Sequence, residues 1–218
     1  MTALAIDGPA GAGKSSVARA VASALGWRYV DTGAMYRAIA LAVLRRGVDP
    51  ADEAAVGALA EATDIDADGT RVWLDGEEVT DRIRERDVTA LVSKISAYPR
   101  VRAALLGRQR SIAGSGDVVM EGRDIGAVVL PDAEAKVFLT ASVEERGKRR
   151  ARELGFHDDE TRADITRAIA ERDHADATRS VSPLKRAPDA HVVDTTGLSL
   201  DEVVRRICEI ARSVAGAR

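Results

Sequence analysis

Short apolar runs alternate along the chain with longer stretches in which apolar residues recur at helical spacing. Residues 2–7 are mostly apolar and end at Gly8-Pro9, which is typical of a buried parallel strand. Between Ser15 and Leu25 the apolar positions follow a helical period, and Gly26 marks the end of this predicted helix. Further strands are predicted at 27–30, 117–120, 135–139 and 190–193, and further helices at 34–46, 52–62, 88–97, 101–112, 142–154, 158–178 and 200–214. This order predicts an α/β protein, with a three-layer α/β/α fold around a five-stranded parallel sheet.

Residues 64–79 break this pattern, because apolar and polar positions alternate there with a period of two. Asp75-Gly76 in the middle is a typical hairpin turn, so we predict a small antiparallel insert at about 64–81. The acidic residues at its start also resemble a calcium loop. However, Asp75 stands where the glutamate ligand of such a loop is expected, which favours the hairpin. An insert of this kind usually covers a binding site.

Composition limits the class of protein. With 218 residues, of which 45% are hydrophobic, the chain is suited to one domain spanning residues 1–218. The net charge of −3 argues against a general affinity for nucleic acid or for an anionic membrane surface. No apolar run approaches the roughly 20 residues of a membrane span. We therefore expect a soluble, cytoplasmic protein, and we expect it to be a monomer.

The cysteine and histidine residues give no indication of a metal centre. Cys208 is the single cysteine, which excludes an internal disulfide, and its place on the apolar side of the last predicted helix indicates a buried thiol. The three histidines are scattered without the spacing of metal ligands.

A glycine-rich segment is the most specific feature of the sequence. Residues 8–15 match the phosphate-loop pattern G-x-x-x-x-G-K-[ST] at every fixed position, and the segment lies between a predicted strand and a predicted helix. Glycines allow the backbone N–H groups to point inward, and the helix that follows contributes its own unpaired N–H groups and the positive end of its dipole. Lys14 can reach the outer phosphates, and the Ser15 hydroxyl is the natural protein ligand for Mg²⁺. The sequence therefore predicts an ATP site formed by Gly8, Pro9, Ala10, Gly11, Ala12, Gly13, Lys14, Ser15 and Ser16.

Three polar clusters are expected to meet beside this loop, because ligands of open α/β sheets lie at the carboxyl edge of the strands. They are residues 31–37, residues 121–124 and residues 172–179. Their mixture of arginine and aspartate suits a second, phosphorylated substrate. The alternative for the third cluster is ion pairing on an exposed helix. The basic run at 146–152 is either a solvated helix face or, with the stretch that follows, part of a mobile lid.

Several motifs occur together in one order: residues 8–15, 31–37 (DTGAMYR), 121–126 (EGRDIG), 171–173 (ERD) and 194–196 (DTT). In this order and spacing the chain resembles the bacterial cytidylate kinases, a family of nucleoside monophosphate kinases that contain a phosphate loop. The predicted insert is similar to the family's enlarged monophosphate-binding part. The match spans nearly the whole chain and is far more specific than a phosphate loop alone.

The resemblance implies direct transfer of a phosphoryl group from ATP to CMP or dCMP, with Mg²⁺ and without a nucleic-acid partner. It also implies a phosphate-loop kinase fold with a helical lid at about 150–165. Base or nucleotide contacts are implied for Thr32, Ser93, Arg102 and Asp124. Contacts to the CMP phosphate are implied for Arg37, Arg123 and Arg179, and contacts to the sugar for Arg172 and Asp176. The catalytic residues implied are Lys14, Arg123 and Arg179.

Elementary chemistry supports the assignment of Asp124, because a carboxylate accepts from the exocyclic amine of cytosine and uracil lacks that donor. The chain departs from the family pattern at Ala175, where relatives carry an arginine. Any phosphate or lid contact that this arginine makes in the family is therefore in doubt here. Two other readings are a phosphate-loop kinase with a different acceptor, such as shikimate, and a nucleotide switch or nucleic-acid-associated ATPase. The absence of an N-K-x-D motif and the acidic isoelectric point, about 5.7, disfavour the latter. Asp31, Glu121 and Asp124 are all candidates for the carboxylate that holds the water ligands of Mg²⁺, and the sequence does not distinguish them.

Overall fold

The computed structural model describes residues 2–178, 181 and 183–215. Within these residues the strands are β1 (Ala3–Asp7), β2 (Arg28–Asp31), β3 (Ile65–Asp68), β4 (Arg71–Leu74), β5 (Glu77–Glu78), β6 (Val118–Gly122), β7 (Ala135–Thr140) and β8 (His191–Asp194). The helices are α1 (Lys14–Leu25), α2 (Thr32–Arg45), α3 (Glu53–Ala62), α4 (Arg86–Ile95), α5 (Pro99–Ala113), α6 (Val143–Glu153), α7 (Asp159–Thr178) and α8 (Leu200–Ala215). Two short turns add to them, a 3-10 turn at Arg82–Arg84 and a π-helical turn at Ile125–Val129.

The predicted parallel sheet is confirmed. Among the described residues it contains five strands in the order β2-β6-β1-β7-β8, and every neighbouring pair is parallel. The register pairs Asp7 with Gly122, and Asp31 with Glu121. Because all five strands point the same way, the segments that follow β1, β2 and β6 leave the sheet at one edge.

Both faces of the sheet are covered, which explains why its strands are apolar without alternation. On one face, side chains such as Leu4, Ile6 and Val137 pack with apolar residues of α1 and α8, and Cys208 is buried in this layer as predicted. On the other face, Ala5 and Met120 pack with the end of α5 and with the 125–129 turn. The arrangement is the predicted three-layer α/β structure.

The insert forms the antiparallel sheet β3-β4-β5. Asp75 and Gly76 both have positive φ angles, 51° and 83°, as the two central residues of a type I′ hairpin turn require. The Asp75 carboxylate accepts a hydrogen bond from the Asp64 N–H and thereby ties the residue before β3 to the turn after β4. The alternation in the sequence therefore corresponds to a hairpin, as predicted, and Asp75 is one of its turn residues. Apolar side chains of β3 and β4 are buried with α2 in one core.

Helices α2, α4 and α5 each begin two residues earlier than predicted, and local chemistry explains the starts of α2 and α5. Helix α2 begins at Thr32, two residues earlier than predicted, because the Asp31 carboxylate accepts the Ala34 N–H and caps the helix. Helix α5 begins at Pro99, where the missing N–H has no cost, and the preceding Tyr98 is extended. The π-helical turn after β6 has no signature in the sequence.

Helices α6 and α7 pack so closely that Gly147 has no room for a side chain. A Cβ at this position would collide with the Thr166 hydroxyl and lie 3.0 Å from the Thr166 Cβ. Gly107, also within a helix, has open space around it. The two glycines therefore form a matched pair for testing the contact between α6 and α7.

We expect Gly147→Ala to lower the free energy of unfolding by about 1–3 kcal/mol, because the two helices must separate. We expect Gly107→Ala to raise it by roughly 0.5–1 kcal/mol, because alanine is the better helix former. Thermal unfolding followed by circular dichroism measures both changes. A Gly147→Ala protein as stable as Gly107→Ala would contradict the close packing.

Candidate active site

A cavity of about 630 Å³ opens at the carboxyl edge of the parallel sheet. Its wall is formed by the phosphate loop, by the ends of β2 and β6, by α2 and α4, and by α6 and α7. The predicted site residues that line it are Ala10, Gly11, Gly13, Lys14, Ser15, Ser16, Arg37, Arg123 and Arg172. The phosphate loop and the predicted acceptor arginines therefore face one space.

The glycines of the loop are required by its path. Gly8 has a φ angle of 153°, and a Cβ there would collide with the Leu139 carbonyl oxygen of the neighbouring strand. Gly11 and Gly13 have φ angles of 72° and 84°, and Gly13 directly precedes α1. Only glycine adopts these angles without strain, so the backbone can curl around an anion at the start of the helix.

Lys14 is enclosed by protein, with 7% of its surface exposed. Its ammonium group donates to the Pro9 carbonyl oxygen at 2.7 Å. Burial and the positive charge of Arg123 lower the Lys14 pKa to about 7, although Glu121 and Asp7 act in the opposite direction. A bound phosphate group would place a negative charge beside Lys14 and so favour its ammonium form.

Glu121 is a buried carboxylate at the end of β6, beside the loop. It accepts a hydrogen bond from the Tyr29 hydroxyl, and the nearby Ser15 side chain favours its ionised form. Burial and the neighbouring charge of Asp31 raise the Glu121 pKa to about 6. Two carboxylates and a serine hydroxyl thus stand together beside the loop, and a cation there would relieve their mutual repulsion. In the described part of the chain no group of three histidine, cysteine or acidic side chains forms a metal site by itself.

Three of the predicted arginines, Arg37, Arg123 and Arg172, add positive charge to the wall of the cavity. Arg37 donates to the Thr89 hydroxyl at 2.6 Å, and burial together with the charge of Arg172 lowers the Arg37 pKa to about 10. Arg123 donates to Asp176 at 2.9 Å. The buried Nε of Arg172 has no hydrogen-bond partner, and its pKa is lowered by burial and by Arg123. This concentration of guanidinium groups is suited to bind a second phosphate.

The residues predicted to hold the base lie outside the wall of the cavity. Arg102 and Asp124 form a buried ion pair, in which Arg102 also donates to the Ser96 carbonyl and stacks over the Tyr36 ring at 5.4 Å. The Thr32 hydroxyl donates to the Glu121 carbonyl oxygen at 2.7 Å. Ser93 is half-buried on α4.

Five further predicted residues do not line the cavity or lie outside the description. Gly8, Pro9 and Ala12 belong to the loop but are not part of the cavity wall. Asp176 is buried behind Arg123. Arg179 lies outside the described residues.

Two carboxylate contacts beside the loop were not predicted from the sequence. Asp7 accepts hydrogen bonds from the N–H groups of Ile125 and Gly126, both at 2.8 Å, and so fixes the turn after Asp124. Burial raises the Asp7 pKa to about 6. The alternative predicted for α7, ion pairing on an exposed helix surface, is wrong for Asp173. Its carboxylate accepts a hydrogen bond from the Ala10 N–H at 2.9 Å. Nothing in the local sequence distinguishes these two carboxylates from exposed ones.

The basic run on α6 is neither fully solvated nor fully directed at the cavity. Arg146 is buried against the loop, Arg149 donates to Thr195 at 2.9 Å, and Arg150 lines the cavity. The buried positions Gly147 and Ala151 lie on the inner side of the same helix. Their small side chains beside the arginines are the only sign of this burial in the sequence.

The fold and the loop define a class of protein, the phosphate-loop kinases of the α/β type. Similar solved structures include a gluconokinase from Sinorhizobium meliloti 1021, with a TM-score of 0.51 and 16% identity, over 99% of this chain and 95% of that one. Another is an uncharacterized protein from Eubacterium ventriosum ATCC 27560, with a TM-score of 0.54 and 13% identity, over 98% of this chain and 99% of that one. At these identities the likeness concerns the fold alone.

The particular family follows from the sequence comparisons. A family model described as "Cytidylate kinase" matches residues 4–213. The cytidylate kinase of Mycolicibacterium paratuberculosis is 52% identical over 96% of this chain and 94% of that protein. The cytidylate kinase of Pelotomaculum thermopropionicum is 50% identical over 99% of this chain and 97% of that protein. The chain belongs to the cytidylate kinase family.

We expect binding of ATP with Mg²⁺ at pH 8 to take up nearly one proton. With a pKa of about 7 the Lys14 amine is mostly neutral at this pH in the free protein, and an adjacent phosphate raises its pKa. Glu121, with a pKa of about 6, is already ionised and releases none. Calorimetric titrations in buffers of different ionisation enthalpy measure the uptake. Lys14→Met should abolish it, and an absence of uptake by the unmodified protein would contradict the lowered pKa.

Proposed function

We propose that this protein transfers the γ-phosphoryl group of ATP to CMP and dCMP, giving ADP with CDP or dCDP. Its membership of the cytidylate kinase family across residues 4–213 is the observation that carries this proposal. The cavity is consistent with it, because a phosphate loop and a group of arginines face the same space. One substrate phosphate can lie on each side.

The loop from Gly8 to Ser16 binds the triphosphate of ATP. Its inward N–H groups donate hydrogen bonds to the phosphate oxygens, and the positive end of the α1 dipole attracts their negative charge. Lys14 leaves the Pro9 carbonyl and contacts the outer phosphates, where its ammonium form is favoured. The positive charge of Lys14 then follows the group that is transferred.

Mg²⁺ is the cofactor that this donor set fits. Ser15, Glu121 and Asp31 offer only oxygen atoms, which are the ligands that Mg²⁺ prefers, and the two carboxylates repel each other without a cation. Ser15 would bind the ion directly, and Glu121 would hold its water ligands. When bound, the ion neutralises charge on the β- and γ-phosphates. Among the three acidic candidates from the sequence, the contact with Ser15 favours Glu121, and the pairing of Asp124 with Arg102 disfavours Asp124.

CMP binds opposite the loop. Arg37, Arg123 and Arg179 hold its phosphate, while Arg172 and Asp176 contact the sugar. Thr32 and Ser93 adjoin the base, and the Arg102–Asp124 pair recognises it. Arg102 donates to one Asp124 oxygen and so orients the carboxylate, which accepts from the exocyclic amine of cytosine.

The transfer itself depends on alignment and on charge rather than on a base. The acceptor oxygen belongs to an ionised phosphate, so no proton has to be removed before attack. Lys14 and the cavity arginines supply positive charge to the equatorial oxygens of the transferring group. Closure of the insert at 64–81 and of the lid at 150–165 excludes water and suppresses hydrolysis of ATP.

We expect ADP release from ATP and Mg²⁺ with CMP and dCMP as acceptors, and at least about tenfold less with UMP, AMP or shikimate, because a mismatched base leaves polar groups unpaired. A coupled assay with each acceptor supplied separately measures this. Lys14→Ala is the blank. Faster turnover with another acceptor would overturn the proposed substrate and leave the fold and the loop intact.

We expect Asp124→Asn to lower kcat/KM for CMP by about tenfold or more, because an amide replaces the charged acceptor for the cytosine amine. Turnover of UMP should fall less, so that the preference for CMP narrows. Steady-state kinetics with both nucleotides measure the ratio. Asp132→Asn is the matched control, since Asp132 is exposed on the nearby loop. An unchanged ratio in a folded Asp124→Asn protein would remove Asp124 from base recognition.

A further inference from the structure

An ion pair between α6 and α7 binds both backbone polar groups, the N–H and the carbonyl oxygen, of one residue of the phosphate loop. Arg146 of α6 donates to the Ala10 carbonyl oxygen at 2.8 Å. Asp173 of α7 accepts the Ala10 N–H at 2.9 Å through one oxygen, and its other oxygen accepts from Arg146. Both polar groups of the Ala10 backbone are therefore taken by side chains of the two helices.

The surroundings make this contact rigid. Arg146 is 7% exposed, and its Nε donates to the Ala141 carbonyl oxygen at 3.1 Å. The neighbouring Gly11 lies so close that a Cβ there would be 3.2 Å from the Arg146 Cβ and 3.6 Å from Ile169. The loop, α6 and α7 thus meet at one point.

The pair also solves an electrostatic problem. A bare carboxylate beside a loop that binds phosphate would repel the ligand. Asp173 is tolerated there because Arg146 neutralises it and because both of its oxygens are used as acceptors. The pair as a whole carries no net charge, whereas Asp173 alone would carry a negative one.

The same pair ties the loop to two arginines of the cavity. Arg172 directly precedes Asp173, and Arg150 follows Arg146 by about one helical turn. Both of them line the cavity. Any shift of the Ala10 peptide would therefore be transmitted to the helices that carry them.

We propose that Arg146 and Asp173 are positioning residues for the phosphate donor. The pair fixes the Ala10 peptide, which leaves the inner N–H groups of the loop to face the triphosphate, and Arg146 prevents Asp173 from repelling it. This proposal rests on the proposed function only in taking ATP as the donor. It does not depend on the identity of the acceptor.

The test is the affinity for ATP with Mg²⁺, measured by calorimetry without an acceptor. We expect Arg146→Met to weaken binding by about 30-fold or more, because it leaves the carboxylate unneutralised. Asp173→Asn should weaken it by only about fivefold, since one hydrogen bond to the loop is disturbed. The double variant should bind about fivefold more tightly than Arg146→Met alone, because removal of the carboxylate removes the repulsion.

Two controls separate positioning from stability. Arg146→Lys keeps the charge but loses the hydrogen bond of Nε to Ala141, so it should bind ATP more tightly than Arg146→Met and more weakly than the unmodified protein. Asp164→Asn removes a carboxylate from an exposed ion pair on the same helix and should change nothing. With CMP as acceptor, we expect the variants to change KM for ATP more than KM for CMP, because the pair hydrogen-bonds to the donor loop, whereas its link to the acceptor side runs only through the neighbouring Arg172.

Additive losses in the double variant, or an unchanged affinity for ATP with a lowered melting temperature, would overturn the proposal and leave the pair a structural one. If CMP is not phosphorylated at all, the proposed function fails. The binding measurements still decide the role of Arg146 and Asp173, because they use ATP alone.

Discussion

Charged side chains buried around the phosphate loop are the constraint on which the rest of the site depends. A charge removed from water destabilises the fold unless an opposite charge or several hydrogen bonds compensate it. Arg146 is balanced by Asp173, and Arg102 by Asp124. Arg37 and Arg172 are the exceptions, because burial and neighbouring arginines lower the pKa of each. The uncompensated charge at the cavity is thus positive, and a phosphate can balance it.

The order of the strands places the acidic residues correctly for this balance. Asp31 and Glu121 are partners in the sheet register, and Asp7 ends the adjacent strand. All three therefore lie at the edge where the loop begins. Both carboxylate oxygens of Asp7 accept hydrogen bonds from backbone N–H groups, so Asp7 has a structural role. Glu121 instead lies beside Ser15 of the loop. Position in the sheet brings acidic residues together, and the available hydrogen-bond donors decide which of them can serve a cation.

Most of the fold could be predicted from the sequence, and much of the site could not. Apolar runs, helical periods and Asp75-Gly76 predict elements because each depends on neighbours in the chain. The burial of Arg146 could not be predicted, because its partners Ala10 and Asp173 come from distant segments. For the same reason Asp7 could only be assigned to the end of a strand. The Arg102–Asp124 pair was predicted as a pair of ligand contacts, and its direct ion pairing became visible only in the structure.

Helix α7 connects the two halves of the site. Ile169 lies close to Gly11, Asp173 holds the Ala10 peptide, and Asp176 accepts a hydrogen bond from Arg123. Residues three or four apart share one face of a helix at a spacing of roughly 5–6 Å. One face of α7 therefore contacts the phosphate loop first and, one turn later, Arg123, an arginine proposed to bind the acceptor phosphate. Because phosphoryl transfer requires donor and acceptor in line, a single rigid helix that touches both sides restricts their relative position more than two separate loops could.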